Sequence, residues 1–157
     1  MRIRPRLCAF LTMTWLFATT ALLSQSRAED VDLFGYYFFM DPVPKGLQDI
    51  SELHLSTISM RGDEMVKVPL YGFFRFKQQN MPDIYLVKPV RKGYQFSFST
   101  RTVKGISFQF SGKFLKLGNF PVTRPEGEVL LTGRLIKYLG LKKVFDQNVK
   151  FSYSGGD

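Results

Sequence analysis

The chain has 157 residues, room for one domain, and a formal net charge of +9. It contains one cysteine and one histidine, which excludes an internal disulfide and a zinc site of the usual four-ligand kind. Phenylalanine is abundant, at 16 residues, so burial of aromatic side chains has to supply the stability that disulfides give other small exported domains.

Residues 1–28 have the features of a secretory signal peptide. Three arginines within the first six residues precede an uncharged, mainly apolar run from Leu7 to Leu23, and Ser26 and Ala28 are small residues at the −3 and −1 positions of a cleavage site. We predict a signal-peptide helix that is cleaved after Ala28. The alternative is an uncleaved N-terminal membrane anchor, although the apolar run is short for a bilayer span of about 20 residues.

Cleavage would leave residues 29–157 as a single exported domain. Four arginines leave with the signal peptide, so the formal charge falls from +9 to +5 and the cysteine count falls to zero. The domain also lacks an Asn-x-Ser/Thr sequon. A basic, disulfide-free and sequon-free domain favours the periplasm of a bacterium over a eukaryotic secretory route.

The first half of the exported domain predicts β-strands separated by turns. The apolar stretches that predict these strands are Leu33–Met40, Ile50–Met60, Val66–Phe76 and Ile84–Val90. The apolar phase changes between Leu55 and Ile58, which indicates a bulge or a bend. Pro69 lies inside the third stretch and predicts either a sheet edge or a division into two strands.

Two alternating runs in the centre of the chain predict an antiparallel hairpin. In Tyr94–Arg101 and in Ile106–Phe114, apolar residues alternate with polar or basic ones, so each run has one apolar face. The residues between them end in Gly105, which supplies the positive φ of a three-residue loop formed by residues 103–105.

The register of this hairpin collects its phenylalanines on one face. It places Phe98 beside Phe110 and the ring of Phe96 over the bare backbone of Gly112. Each aromatic cross-strand pair contributes about 0.2–1 kcal/mol relative to a pair of alanines. We therefore expect the central phenylalanines to point into one dry interior: Phe96, Phe98, Phe108 and Phe110.

The last third of the chain predicts a closing hairpin. Residues 118–127 contain two prolines and two glycines and predict an irregular connection, after which Val129–Tyr138 and Val144–Tyr153 alternate as strands. Seven or eight strands joined by short turns predict an all-β fold, which is either a single antiparallel β-sandwich or a small β-barrel.

The titratable residues predict neither catalysis nor metal binding. His54 alternates with Leu53 and Leu55, so it lies on the opposite face of its strand, and we expect it to be solvated or hydrogen-bonded. The paired acids lie in predicted termini and turns, where carboxylates are normally solvated. Arg61-Gly62-Asp63 spells an adhesion tripeptide, but a hairpin turn favours the same residue types. We therefore predict a protein that is not an enzyme and carries no cofactor or metal.

Two features predict a surface for a partner. Residues 36–39 are four consecutive aromatic residues, and because neighbours on a strand face opposite ways, some need cover from a second layer, a partner or a ligand. Basic residues also concentrate in the second half of the chain, in predicted turns and on polar faces. The predicted partner-binding residues are Tyr36, Tyr37, Arg91, Lys92, Arg101 and Lys104.

The sequence thus predicts an exported, non-enzymatic binding domain with an interaction or assembly role. We expect the partner to be another exported protein or an anionic surface, and not nucleic acid. One alternative is a periplasmic carrier whose interior holds an apolar small molecule or a lipid. The other is a small outer-membrane β-barrel with its phenylalanines facing lipid and its polar residues facing inward.

Overall fold

In the computed structural model, which describes residues 31–156, eight antiparallel strands close into a barrel. Each strand pairs with its neighbour in sequence, and β1 closes the barrel by pairing with β8. The elements are β1 (Gly35–Phe39), β2 (Ile50–Arg61), β3 (Glu64–Phe76), β4 (Ile84–Lys92), β5 (Gln95–Thr100), β6 (Ile106–Phe114), α1 (Phe120–Thr123), β7 (Val129–Leu139) and β8 (Lys142–Ser154). The predicted all-β antiparallel fold is confirmed, in its barrel form. The predicted signal peptide lies outside the described residues.

The register of the central hairpin, β5 and β6, is confirmed. Phe98 pairs with Phe110 and Phe96 pairs with Gly112. The rings of Phe98 and Phe110 stack with their centroids 5.3 Å apart. A Cβ atom on Gly112 would lie 2.2 Å from the Thr132 carbonyl oxygen and 2.6 Å from the Phe110 ring, so this position requires glycine.

The predicted three-residue loop of this hairpin is wrong. Val103 pairs directly with Ile106, and the turn consists of Lys104 and Gly105, whose φ angles are 48° and 78°. Two positive φ angles are those of a type I′ turn, which matches the right-handed twist of the strands. Thr100 Oγ1 accepts a hydrogen bond from the Phe108 N–H at 2.9 Å, and this bond helps to hold the irregular segment that absorbs the extra residue.

Large side chains from all eight strands fill the barrel interior. The four phenylalanines of the central hairpin are between 1% and 5% exposed, which confirms that they share one dry interior. Rings meet there both across the barrel and between paired strands, with centroid distances of 4.7 Å between Phe74 on β3 and Phe108 on β6 and 4.6 Å between the paired Phe39 and Phe151. Because burial of each such side chain contributes about 1.5–3 kcal/mol, this packed core is the main source of stability.

The hairpin of β2 and β3 separates from β4 towards its turn. The predicted irregularity is present as a register shift between Ser56 and Ile58. Pro69 does not divide β3, which is continuous, but the register between β3 and β4 consists of the two pairs made by Phe73 and Phe74. Pro69 therefore lies where β3 has a free edge, and the first of the two predicted alternatives is confirmed.

Because successive strands run in opposite directions, their connections lie alternately at the two ends of the barrel. The end that we call upper contains residues 40–49, 77–83, 101–105 and 140–141. The end that we call lower contains residues 62–63, 93–94 and 115–128.

Candidate functional site

A row of aromatic side chains crosses the outer wall of β1 to β4. The registers pair Tyr36 with His54, His54 with Phe73, and Phe73 with Tyr85. The centroids of successive rings lie 4.8, 4.9 and 5.5 Å apart. Each residue alternates along its strand with a fully buried core residue, so all four point away from the barrel interior. We call these four residues the aromatic row.

His54 occupies the middle of the aromatic row without a hydrogen bond. It is 9% exposed, and neither ring nitrogen has a hydrogen-bond partner among the described residues. The Tyr36 ring stacks on it, and the Phe34 ring approaches edge-on with the centroids 5.6 Å apart. The expectation of a solvated or hydrogen-bonded histidine is therefore wrong, because aromatic rings cover His54 from outside the barrel.

Burial also sets the charge of His54. Desolvation lowers the pKa of the imidazole, and the nearby positive charge of Arg75 lowers it further, while Asp83 opposes both. A histidine whose pKa lies below 6.5 is neutral at pH 7. The middle of the aromatic row is therefore uncharged.

A charged row lies beside the aromatic row, one step towards the upper end. Glu52 pairs with Arg75 across β2 and β3, and the guanidinium donates to Glu52 Oε1 at 3.1 Å and to Asp83 Oδ2 at 3.5 Å. The guanidinium carbon also lies 5.0 Å from the centroid of the Phe73 ring, so Arg75 joins the two rows. Glu52 is 8% exposed, and its burial raises the pKa of the carboxyl although Arg75 lowers it.

A groove of about 370 Å³ opens where the two rows meet β1. Its lining residues are Tyr36, Phe38, Glu52, Arg75, Ser154 and Gly156. The backbone of Gly156 packs closely on the Tyr36 ring, since a Cβ atom on this glycine would lie 2.7 Å from it. The groove therefore offers two aromatic side chains, a carboxylate and a guanidinium in one place. A groove of about 450 Å³ also opens on the outer wall of β5 to β7, so the side chains that line the groove at β1, and not its volume, distinguish it.

The outer wall of β5 to β7 is different. Its paired outward residues are Ser97 with Ser111, Ser99 with Gln109, and Ser111 with Arg134. Arg134 donates to the two carboxylate oxygens of Asp146 on β8 at 2.6 and 2.8 Å. These bonds, together with one from Lys143, hold the pKa of Asp146 well below its usual range. We call this surface the polar wall.

The structure separates the two predicted tyrosines. Tyr36 belongs to the aromatic row, but Tyr37 is 0% exposed and its hydroxyl donates to the Leu33 carbonyl oxygen at 2.9 Å. Tyr37 is therefore a core residue and the prediction that it binds a partner is wrong. Successive side chains of a strand point to opposite faces, so Tyr36 and Tyr37 cannot both lie on the outer wall of β1.

The predicted basic residues are exposed but lie at opposite ends of the barrel. Arg91 and Lys92 flank the lower turn of β4 and β5, whereas Arg101 and Lys104 follow β5 at the upper end. The six residues of β5 span about 20 Å. The Arg101 N–H donates to the Tyr85 carbonyl oxygen at 2.9 Å, so of these four residues Arg101 is the one whose backbone pairs with a residue of the aromatic row.

Sequence reasoning missed Phe73, Arg75 and Tyr85 as members of this site. One signal could have found the first of them. Phe73 and Phe74 are consecutive aromatic residues, and the alternation that sends one of them into the core sends the other outward.

No protein-family model, curated protein or solved structure matches the chain. Among residues 31–156, no group of three or more His, Cys, Asp or Glu side chains is placed to hold a metal ion. The same part of the chain has no helix with the length and hydropathy needed to cross a membrane.

Proposed function

We propose that this chain is an exported, non-enzymatic interaction domain that binds another exported protein through the aromatic and charged rows. The aromatic row is the observation that carries the proposal. Tyrosine, phenylalanine and arginine are enriched at protein interfaces, and tyrosine and arginine are prominent among the residues that supply most of the binding energy. Here all three residue types reach the surface of one outer wall, since Phe38 is 36% and Tyr85 48% exposed and the Arg75 side chain is 47% exposed. His54 and Phe73, each 9% exposed, lie beneath this surface.

The size of the surface favours a protein partner. Three strand-to-strand steps separate Tyr36 from Tyr85, which corresponds to about 14 Å across the wall. The groove at β1 accepts an apolar anchor between Tyr36 and Phe38, while the side chain of Arg75, which is 47% exposed, keeps N–H groups for an acceptor on the partner. A protein covers both rows at once, whereas a small ligand would fill the groove alone.

The charged groups of the site support binding over catalysis. The Glu52 carboxylate is engaged by Arg75 at 3.1 Å, and the imidazole of His54 is enclosed by aromatic rings. A general acid or base has to reach the proton that it transfers. Neither group has open access to a bound substrate in this arrangement.

The interior of the barrel gives no support to the two alternative functions. A carrier requires internal space, but packed side chains from all eight strands occupy the interior. An outer-membrane barrel requires apolar side chains outside and polar ones inside. Here the phenylalanines of β5 and β6 face inward, and Ser97, Gln109 and Ser111 face outward.

Site-specific photo-crosslinking in the cells that make the protein tests the proposal. A photoreactive amino acid would replace Phe38 or Tyr85 in one set of variants, and Ser97 or Ser111 on the polar wall in the matched set. We expect one discrete protein adduct from the first set and none from the second, and we expect the Arg75→Glu substitution to abolish the adduct. Equal adducts from both walls, or adducts that persist in Arg75→Glu, would overturn the proposal.

A further inference from the structure

Exposed aliphatic side chains form the tip of the β7–β8 hairpin at the upper end. Gly140 and Leu141 make the turn, because Leu139 pairs directly with Lys142. Leu141 is fully exposed at 102%, Leu139 is 55% exposed and Val144 is 47% exposed. We call Leu139, Leu141 and Val144 the leucine tip. It is convex and stands clear of the core, so the fold does not require these apolar side chains.

Two lysines lie next to the leucine tip. Lys142 and Lys143 follow the turn directly and are exposed. The Gly140 N–H donates to the Gly105 carbonyl oxygen of the neighbouring turn at 2.7 Å, but the ammonium of Lys104 in that turn donates to the Asn80 carbonyl oxygen at 3.3 Å. The positive charge beside the tip therefore comes from its own hairpin.

The acid nearest to the tip along β8 is already neutralised. The carboxylate of Asp146 accepts hydrogen bonds from Arg134 at 2.6 Å and from Lys143 at 2.7 Å. It therefore does little to offset the charge of Lys142. The β7–β8 hairpin thus combines exposed apolar side chains with a positive charge directly beside them.

The hairpin of β2 and β3 at the lower end provides a contrast within the same molecule. Met60 and Met65 are 63% and 75% exposed, so this hairpin also presents apolar side chains. At its turn, however, the exposed acids Asp63 and Glu64 stand beside the exposed Arg61, so this tip lacks the net positive charge that an anionic surface attracts. The charge around the two tips, and not their apolar exposure, distinguishes them.

We propose that the leucine tip docks the upper end of the barrel onto the surface of an anionic lipid bilayer. A convex apolar side chain enters the boundary between headgroups and acyl chains, and lysines around it are attracted to anionic headgroups. Each lysine near such a surface strengthens partitioning about 5-fold, and the buried leucine strengthens it about 10-fold or more. This surface is separate from the aromatic row, so either proposal stands if the other fails.

Vesicle co-sedimentation with the purified protein, as the cell exports it, tests the inference. The probes are vesicles of phosphatidylcholine mixed with phosphatidylglycerol and vesicles of phosphatidylcholine alone. We expect binding to the mixed vesicles only, weakened by salt because the attraction is screened. Leu141→Ser should lower the partition coefficient about 10-fold and Lys142→Glu at least 5-fold.

The matched control is Met65→Ser, which removes a similarly exposed apolar side chain from the lower tip and should leave vesicle binding unchanged. Because Leu141 is fully exposed, Leu141→Ser should leave the circular dichroism and thermal unfolding of the protein unchanged. Equal binding to both kinds of vesicle, or equal losses in Leu141→Ser and Met65→Ser, would overturn the inference. So would binding to soluble polyglutamate that is lost in Leu141→Ser to the same degree, since this would indicate an acidic protein partner.

Discussion

The outer walls of β1–β4 and of β5–β7 follow the same alternation and differ in chemistry. Inward residues are aromatic on both sides, such as Phe74 and Phe98. Outward residues are rings in the aromatic row, but serines, a glutamine and an arginine in the polar wall. The polar wall shows that the barrel closes without aromatic side chains outside. An outer face made of rings is therefore not needed for strands of this barrel to close on one another.

The two walls also differ in whether a titratable side chain has a hydrogen-bond partner. In the polar wall, Arg134 is paired with Asp146 through two hydrogen bonds. In the aromatic row, His54 is covered without a hydrogen-bond partner among the described residues, an arrangement that costs about 1–3 kcal/mol. A domain that needed only stability would gain by replacing this imidazole with an apolar ring.

The largest expected loss of stability comes from a substitution in the barrel interior, compared with one on an outer wall. Phe98→Ala removes a ring that is 5% exposed and leaves a cavity, so the free energy of unfolding should fall by about 3–5 kcal/mol. Its neighbour Ser97→Ala, on the polar wall, should change this free energy by less than about 0.5 kcal/mol. Urea unfolding of the two variants measures both values. Similar losses in the two variants would show that the inside and the outside of β5 are not distinct.

A smaller loss of stability is expected when the arginine of either wall is replaced. Arg75→Ala leaves the buried Glu52 carboxylate without its partner, and because Arg75 is about half exposed we expect a loss of about 1–2 kcal/mol. Arg134→Ala should cost less, because its partner Asp146 remains paired with Lys143. Chemical denaturation at pH 7 measures the difference. A larger loss in Arg134→Ala would contradict the assignment of Arg75 as the link between the two rows.

His54→Phe should stabilise the protein by about 1 kcal/mol at pH 7, because it removes an unpaired polar group and keeps an aromatic ring. The pKa of His54 is lowered in the folded state, so the unfolded chain binds more protons as the pH falls. The free energy of unfolding of the wild type should therefore fall further as the pH drops below 6.5, because the unfolded chain takes up a proton that the folded imidazole resists.

Thermal unfolding of the wild type and His54→Phe between pH 7 and pH 5 measures this prediction. Since the chain has one histidine, the difference between the two pH profiles reports this side chain. Parallel profiles, or a less stable His54→Phe variant at pH 7, would show that the imidazole is not held neutral by burial.

The sequence allowed the central hairpin to be predicted but not the closure of the barrel. Alternation over β5 and β6 and the bare backbone at Gly112 determine which residues pair, because a slip by one residue would expose every phenylalanine. The length of the turn was predicted wrongly because the strands become irregular after Thr100, whose Oγ1 accepts a hydrogen bond from the Phe108 N–H. The alternation of apolar and polar residues does not reveal such a side-chain bond. The pairing of β1 with β8 joins segments far apart in the chain, and local patterns carry no signal for it.

The candidate site was harder to predict for a related reason. Tyr36 could be selected from its run of aromatic residues, but its inward neighbour Tyr37 could not be told apart without the phase of β1 in the barrel. His54, Phe73 and Tyr85 join Tyr36 only through the registers of three strand pairs. Each pair depends on the length of the connection before it and on the shifts within β2 and β3.

The most direct test of the central claim is the affinity of the crosslinked partner for matched variants of the two walls. Isothermal titration calorimetry with the purified partner would compare Tyr36→Ala in the aromatic row with Ser111→Ala in the polar wall. We expect Tyr36→Ala to weaken binding at least about 10-fold, as the loss of an interface hot spot does, and Ser111→Ala to leave the Kd unchanged. An unchanged Kd in Tyr36→Ala, or equal losses in the two variants, would show that the partner does not bind through the aromatic row.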